Sequence, residues 1–180
     1  MDSFIGAVIT FLVGDYFVTL VLIALVIGLI VAGVRHRWAA HDGWRTLLDW
    51  YVLWGVGISN LVNFVFHSFL GDFSAEQIGW AQSPFQLELA LASLGMGIAG
   101  VVVFARRTGW WAKFAATVPP TVFMFGAGIG HIYQAVSTGN TAFANSGPIL
   151  YSDLLIPIWA VVLLVLARVE ERRAERLVPA

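Results

Sequence analysis

The chain has 180 residues, of which 59% are hydrophobic and 12% charged, with a mean hydropathy of +0.81. Soluble domains carry roughly 25% charged residues, and one core of this size could not hide so much apolar surface. Ten Lys and Arg nearly balance eleven Asp and Glu, so the net charge of −1 offers nothing to a nucleic acid, and the lack of cysteine excludes disulfides, iron–sulfur clusters, thiolate zinc sites and cysteine nucleophiles.

What remains is an all-α integral membrane protein. A helix crosses the hydrocarbon layer with about 20 mainly apolar residues, and the chain contains five stretches of that kind. Residues 4–13 (FIGAVITFLV) precede them; too short to span and without a basic leader, they read as an interfacial or re-entrant segment. The first span covers about 16–34, capped by Asp15 and closed by Arg35-His36-Arg37. The second runs over about 46–70. A third, about 84–105, follows Ser83-Pro84-Phe85-Gln86, which has the form of a capping box with proline at the first helical position. Pro119-Pro120 either kink the fourth, about 112–136, or begin its membrane part. The fifth, about 149–167, follows Gly147-Pro148, and 168–180 forms a cytoplasmic tail whose mixed-charge VEERRAER stretch reads as a solvated helix end.

An odd number of spans puts the termini on opposite sides. All ten Lys and Arg, from Arg35 and Arg37 through Arg107 and Lys113 to Arg176, fall on one of them. The positive-inside rule makes that side cytoplasmic and the N-terminus extracytoplasmic. Trp38, Trp44, Trp50, Trp54, Trp110 and Trp111 gather near the same boundary as an aromatic belt.

Polar residues interrupt the spans in a pattern. In the second, Gly55, Ser59, Asn63 and His67 advance by four and share one helical face, with Asn60 beside them. The third carries Glu88, the fourth His131 and Gln134, and the fifth Asp153. At ~1.5 Å per residue, His67, Glu88, His131 and Asp153 each sit roughly 4 to 8 Å inside the outer ends of their helices, in one layer. Pro84 follows His67 by 17 positions and Pro148 follows His131 by 17, which reads as an internal repeat. Spans two to five then form a four-helix bundle of two parallel hairpins, with span one outside.

The stretches IGWAQSPFQLELALASLGMGIAG (78–100) and GHIYQAVSTGNTAFANSGPILYSDLLIP (130–157) carry S-P-F-Q-x-E and G-H-I…N-x-G-P…D-x-x-x-P motifs. From span two onward the chain resembles a family of small bacterial multi-pass membrane proteins defined only as a domain of unknown function. The resemblance implies a membrane fold and no reaction, and the expected location is the bacterial plasma membrane. It includes Glu88, His131 and Asp153.

Ionisable groups in lipid cost at least ~2.5 to 3.5 kcal/mol and mark functional sites. The sharpest expectation is a divalent metal site with His67, Glu88, His131 and Asp153 as ligands, supported by Asn60, Asn63 and Gln134, serving chemistry on a membrane-soluble or periplasmic substrate. Mixed nitrogen and oxygen ligation suits zinc, iron or manganese. Bis-histidine haem or a quinone held by His67 and His131 is a second class. Transport fits less well, because the inner halves of the spans offer few polar groups. A fourth reading is an accessory subunit or assembly factor in which these residues pair with one another. There, the Gly28, Ala32, Gly33 edge of span one would meet a second copy or a membrane-complex partner. No dedicated nucleophile is legible, so the sequence leaves open whether the protein is an enzyme.

Overall fold

Long runs of Leu, Val, Ile and Ala satisfy their backbone hydrogen bonds in lipid as helices, and among the described residues, Phe11 and 14–177, there is no strand. The computed structural model consists of α1 (Tyr16–Val34), α2 (Gly43–Phe69), α3 (Gly71–Ile78), α4 (Phe85–Ala105), α5 (Trp110–Thr138), α6 (Phe143–Ser146) and α7 (Pro148–Leu177). Apart from Phe11, the 4–13 segment expected to be interfacial or re-entrant lies outside the described residues.

Four helical stretches are long and apolar enough to cross a membrane: α1, α2, α4 and the run Phe143–Leu177. Helix α5 is not among them, although it has 29 residues. Lys113, Thr117, the two prolines, His131 and Gln134 dilute its hydropathy. It nevertheless runs unbroken through Pro119 and Pro120. Helix α2 packs along α4 and α5 along α7, while α1 lies against the first half of α2, which also touches α7.

The helix ends explain how the elements are held. Asp15 caps α1, its Oδ1 accepting from the Val18 N–H at 3.1 Å. The capping box expected at α4 does not form, because the Gln86 side chain is drawn away to His67 and only its backbone N–H turns back, to the Ser83 carbonyl. The start of α2 borrows its cap from α7: the Arg45 N–H donates to Glu170 Oε2 at 2.9 Å. The tail is helical to Leu177, as a helix end, but Glu170 is buried against α2 where a solvated residue was expected.

Within α2, Val52–Ile58 is wound as a π-helix. Such turns loosen the backbone ladder. The Ser59 hydroxyl and Asn60 Nδ2 take up the Gly55 and Val56 carbonyls. Opposite this turn α4 presents Gly97 and Gly100, and a Cβ placed on Gly100 would lie 2.6 Å from the Gly57 nitrogen and 3.0 Å from the Val52 oxygen. The two backbones touch, as small-residue seams in membranes allow. Beside the seam, Val52, Val56, Met124, Ile156, Ala160 and Leu163 form a closed apolar core. It separates the polar end of the helices, where Asp15, His131 and Asp153 lie, from the end that carries the arginines.

Gly100→Leu should destabilise the fold by about 1–3 kcal/mol by forcing the seam apart. Gly95→Ala, where nothing lies within 4 Å, should cost nothing. Thermal unfolding of the two variants in detergent compares them directly.

Candidate functional site

At the polar end, α5 and α7 bring His131 and Asp153 together. Gly128, one turn before His131, has no side chain to keep α7 away; a Cβ there would meet the Asp153 Cβ at 3.2 Å. Both side chains are buried, and His131 Nε2 stands 3.5 Å from Asp153 Oδ2. The other ring nitrogen, Nδ1, bonds Asn145 Oδ1 at 2.8 Å.

The orientation of Asn145 decides the proton inventory. Its Nδ2 donates to the Asn140 carbonyl at 2.8 Å and to Ser146 Oγ at 3.2 Å, and a carbonyl accepts only from the amide nitrogen. Oδ1 is thus the atom at His131, and Nδ1 must be the donor there. A neutral imidazole with hydrogen on Nδ1 presents a lone pair at Nε2. That lone pair would face a carboxylate oxygen, acceptor against acceptor, unless a proton lies between them.

A cap encloses this pair. Asn145 is fully buried, and Asn140 reaches across to the Ile78 carbonyl at 2.9 Å, tying the loop before α6 to the end of α3. Gly79 makes that junction in a left-handed turn, φ +75°, with Asn140 Oδ1 only 2.7 Å from where a Cβ would be. The Trp80 ring then lies over His131, centroids 5.9 Å apart.

A second carboxylate reaches the same region from α1. Asp15 is 2% exposed and lies within electrostatic reach of Asp153. The Ser152 hydroxyl nearby donates to the Ile149 carbonyl and offsets only part of the burial of the Asp15 carboxyl, whose Oδ2 has no hydrogen-bond partner. Burial pushes the Asp15 carboxyl above the usual carboxylate range. Next to it the Tyr16 hydroxyl donates to Asn63 Oδ1, and Asn63 Nδ2 donates to Ser93 Oγ at 2.8 Å, so the polar layer continues across α2 and α4.

The expected four-ligand cluster is only partly brought together. His131 and Asp153 meet, His67 bonds Gln86 instead, and Glu88 is exposed. Among the described residues no group of three or more His, Asp or Glu is close enough to hold a metal ion. Of the supporting residues, Asn63 joins the layer, Asn60 serves the π-helical turn and the Gln134 side chain accepts from Thr138. The Gly28 and Ala32 edge of α1 is buried against α2. Asp15 entered the sequence reading only as a cap; an acidic N-cap directly before a span, facing a span with Asp153 at the same depth, was the signal for a larger role.

A family of unknown function, DUF6790, matches residues 14–173. No curated protein and no solved structure matches the chain.

The raised Asp15 value has a definite sign. The folded state holds this proton more tightly than the unfolded chain, so its contribution is full on the acid side and is lost as pH rises through the folded value. Asp15→Asn keeps a good N-cap and removes the titration. It should be at least as stable as wild type at neutral pH, with a flatter stability profile above the ordinary carboxylate range, measured by thermal unfolding over a pH series.

Proposed function

Because the chain belongs to the DUF6790 family, whose function is unknown, the geometry has to supply the reading, and we propose an integral membrane protein that binds a proton from the extracytoplasmic side. In this reading five helices span the plasma membrane, α5 included, with the N-terminus outside and the arginine-bearing end in the cytoplasm. The proton sits between His131 Nε2 and Asp153 Oδ2. The observation that carries the reading is the commitment of His131 Nδ1 to Asn145, which leaves two acceptors facing each other at 3.5 Å.

The surrounding charges favour the same state. Two buried carboxylates near one imidazole are short of positive charge, and like charges in one site retain a proton. A proton needs only two atoms, whereas a structural or catalytic zinc takes three or four protein ligands. Protonation also has something to act on. Asn145 holds the cap over His131, and Asp153 stands against α1 through Asp15, so gaining or losing the proton changes what holds the cap and the first span in place. The apolar core below closes the way to the cytoplasm, which favours a pH-responsive binding site over a conduit.

Magnetic resonance of nitrogen-labelled histidine in lipid nanodiscs tests the site, with His131→Gln assigning the signal. The His131 Nε2 signal should be that of a nitrogen sharing a hydrogen with a carboxyl oxygen, and Asp153→Asn should change it. An Nε2 signal that Asp153→Asn leaves unchanged would refute the reading. So would stoichiometric zinc, iron or manganese in gently purified protein, which would put a metal where the proton is placed.

Orientation has its own test, helped by the absence of native cysteine. A cysteine at the exposed Thr141 should react with an impermeant reagent on intact cells, and reaction only after permeabilisation would invert the topology.

A further inference from the structure

The opposite end of the molecule contains a cavity of about 530 Å³ between the ends of α1 and α4 and the starts of α2 and α5. Five cations line it, Arg35, Arg37, Arg45, Arg107 and Lys113, against one acid, Asp49. The ion pairs leave a surplus. Asp49 is taken by the buried Lys113, and Asp42, just outside, is shared by Arg37 and Arg45. Arg35 and Arg107 are exposed at the cavity and pair with no carboxylate among the described residues, and Arg37 Nε is buried without a hydrogen-bond partner.

The loops go out of their way to place these side chains. Arg107 lies at φ 50° and His36, between Arg35 and Arg37, at φ 49°. Both end their helices in the same manner: the Thr108 N–H returns to the Val103 carbonyl and the Arg37 N–H to the Ala32 carbonyl, six-residue closures whose left-handed position normally belongs to glycine. A non-glycine residue there is strained, because its Cβ crowds the backbone. At the end of α4 that strain keeps a guanidinium at the cavity.

The remaining wall is mostly apolar, with Thr46 and Thr108 as its two hydroxyls. Trp50 and Phe104 pack with centroids 5.3 Å apart, and Val31 lies across from them. A surplus of guanidinium beside an apolar wall, at the level where the helices end, matches the chemistry of a phosphate ester joined to hydrocarbon. We propose that this cavity binds the phosphate group of an anionic phospholipid. The site is separate from the His131 pair and does not depend on it.

The test compares binding of phosphatidylglycerol with that of phosphatidylcholine by native mass spectrometry of the full chain, and by thermal shift in nanodiscs of each lipid. Wild type should retain and be stabilised by phosphatidylglycerol. Arg35→Gln and Arg107→Gly should each weaken that preference about fivefold, the worth of one basic residue at an anionic surface. Arg107→Gly relieves the left-handed strain, so its unfolding temperature in phosphatidylcholine should hold or rise, which separates lost binding from lost folding. An unchanged lipid preference in both variants would overturn the proposal. Inorganic phosphate supplied in neutral detergent should give no saturable shift at millimolar levels; a shift as large as that from the lipid would show a free-phosphate site and overturn the lipid assignment.

Discussion

The contact on which the polar end depends is the one between His131 and Asp153, read together with Asn145. Three elements meet there: α5 supplies the imidazole, α7 the carboxylate, and the loop around α6 the amide that fixes which ring nitrogen carries hydrogen. Asn145 in turn is fixed by Asn140 and Ser146, and Asn140 by the end of α3. One tautomer is thus linked through hydrogen bonds to the whole cap. Buried polar networks of this kind are costly when a member is unsatisfied, which is why a missing proton at Nε2 would be felt beyond the pair.

The rest of the fold keeps the two ends apart. Along the middle, α2 and α4 close on each other through Gly57, Gly97 and Gly100, and the π-helical turn puts its loosened carbonyls under the side chains of Ser59 and Asn60. The apolar core beside the seam leaves the acidic layer facing one side and the arginine cavity facing the other. The near-zero net charge of the chain is made partly within the arginine end, where Asp42, Asp49 and Glu171 pair with basic residues, and partly between the ends, since Asp15 and Asp153 lie at the other. In the proposed orientation the arginines set topology and hold lipid phosphate, while the buried carboxylates on the far side bind the proton.

Much of the architecture could be read from apolar runs. The first expected span, 16–34, coincides with Tyr16–Val34, and the others differ from their helices by a few residues at most ends. The exceptions have physical causes. On the helical tail Glu170 is not solvated but captured by the start of α2, a long-range bond that no local pattern announces. The stretch VLWGVGI reads as ordinary helix, and only packing against the glycines of α4 accompanies its π winding. In the site, depth was legible but direction was not. Gln86 and Glu88 are two positions apart, about 200° around a helix, so when Gln86 turns in to His67, Glu88 must face out. His131 and Asp153 were found because both lie on inward faces. Their third partner, Asn145, sits on the short α6, whose folding back the spans could not foretell.

The central claim concerns one proton, and infrared difference spectroscopy of the protein in lipid across a neutral-to-acid step observes carboxyl protonation directly. The account predicts a protonated-carboxyl band that shrinks in both Asp15→Asn and Asp153→Asn and that His131→Gln shifts. A carboxyl band that none of these substitutions changes would contradict it.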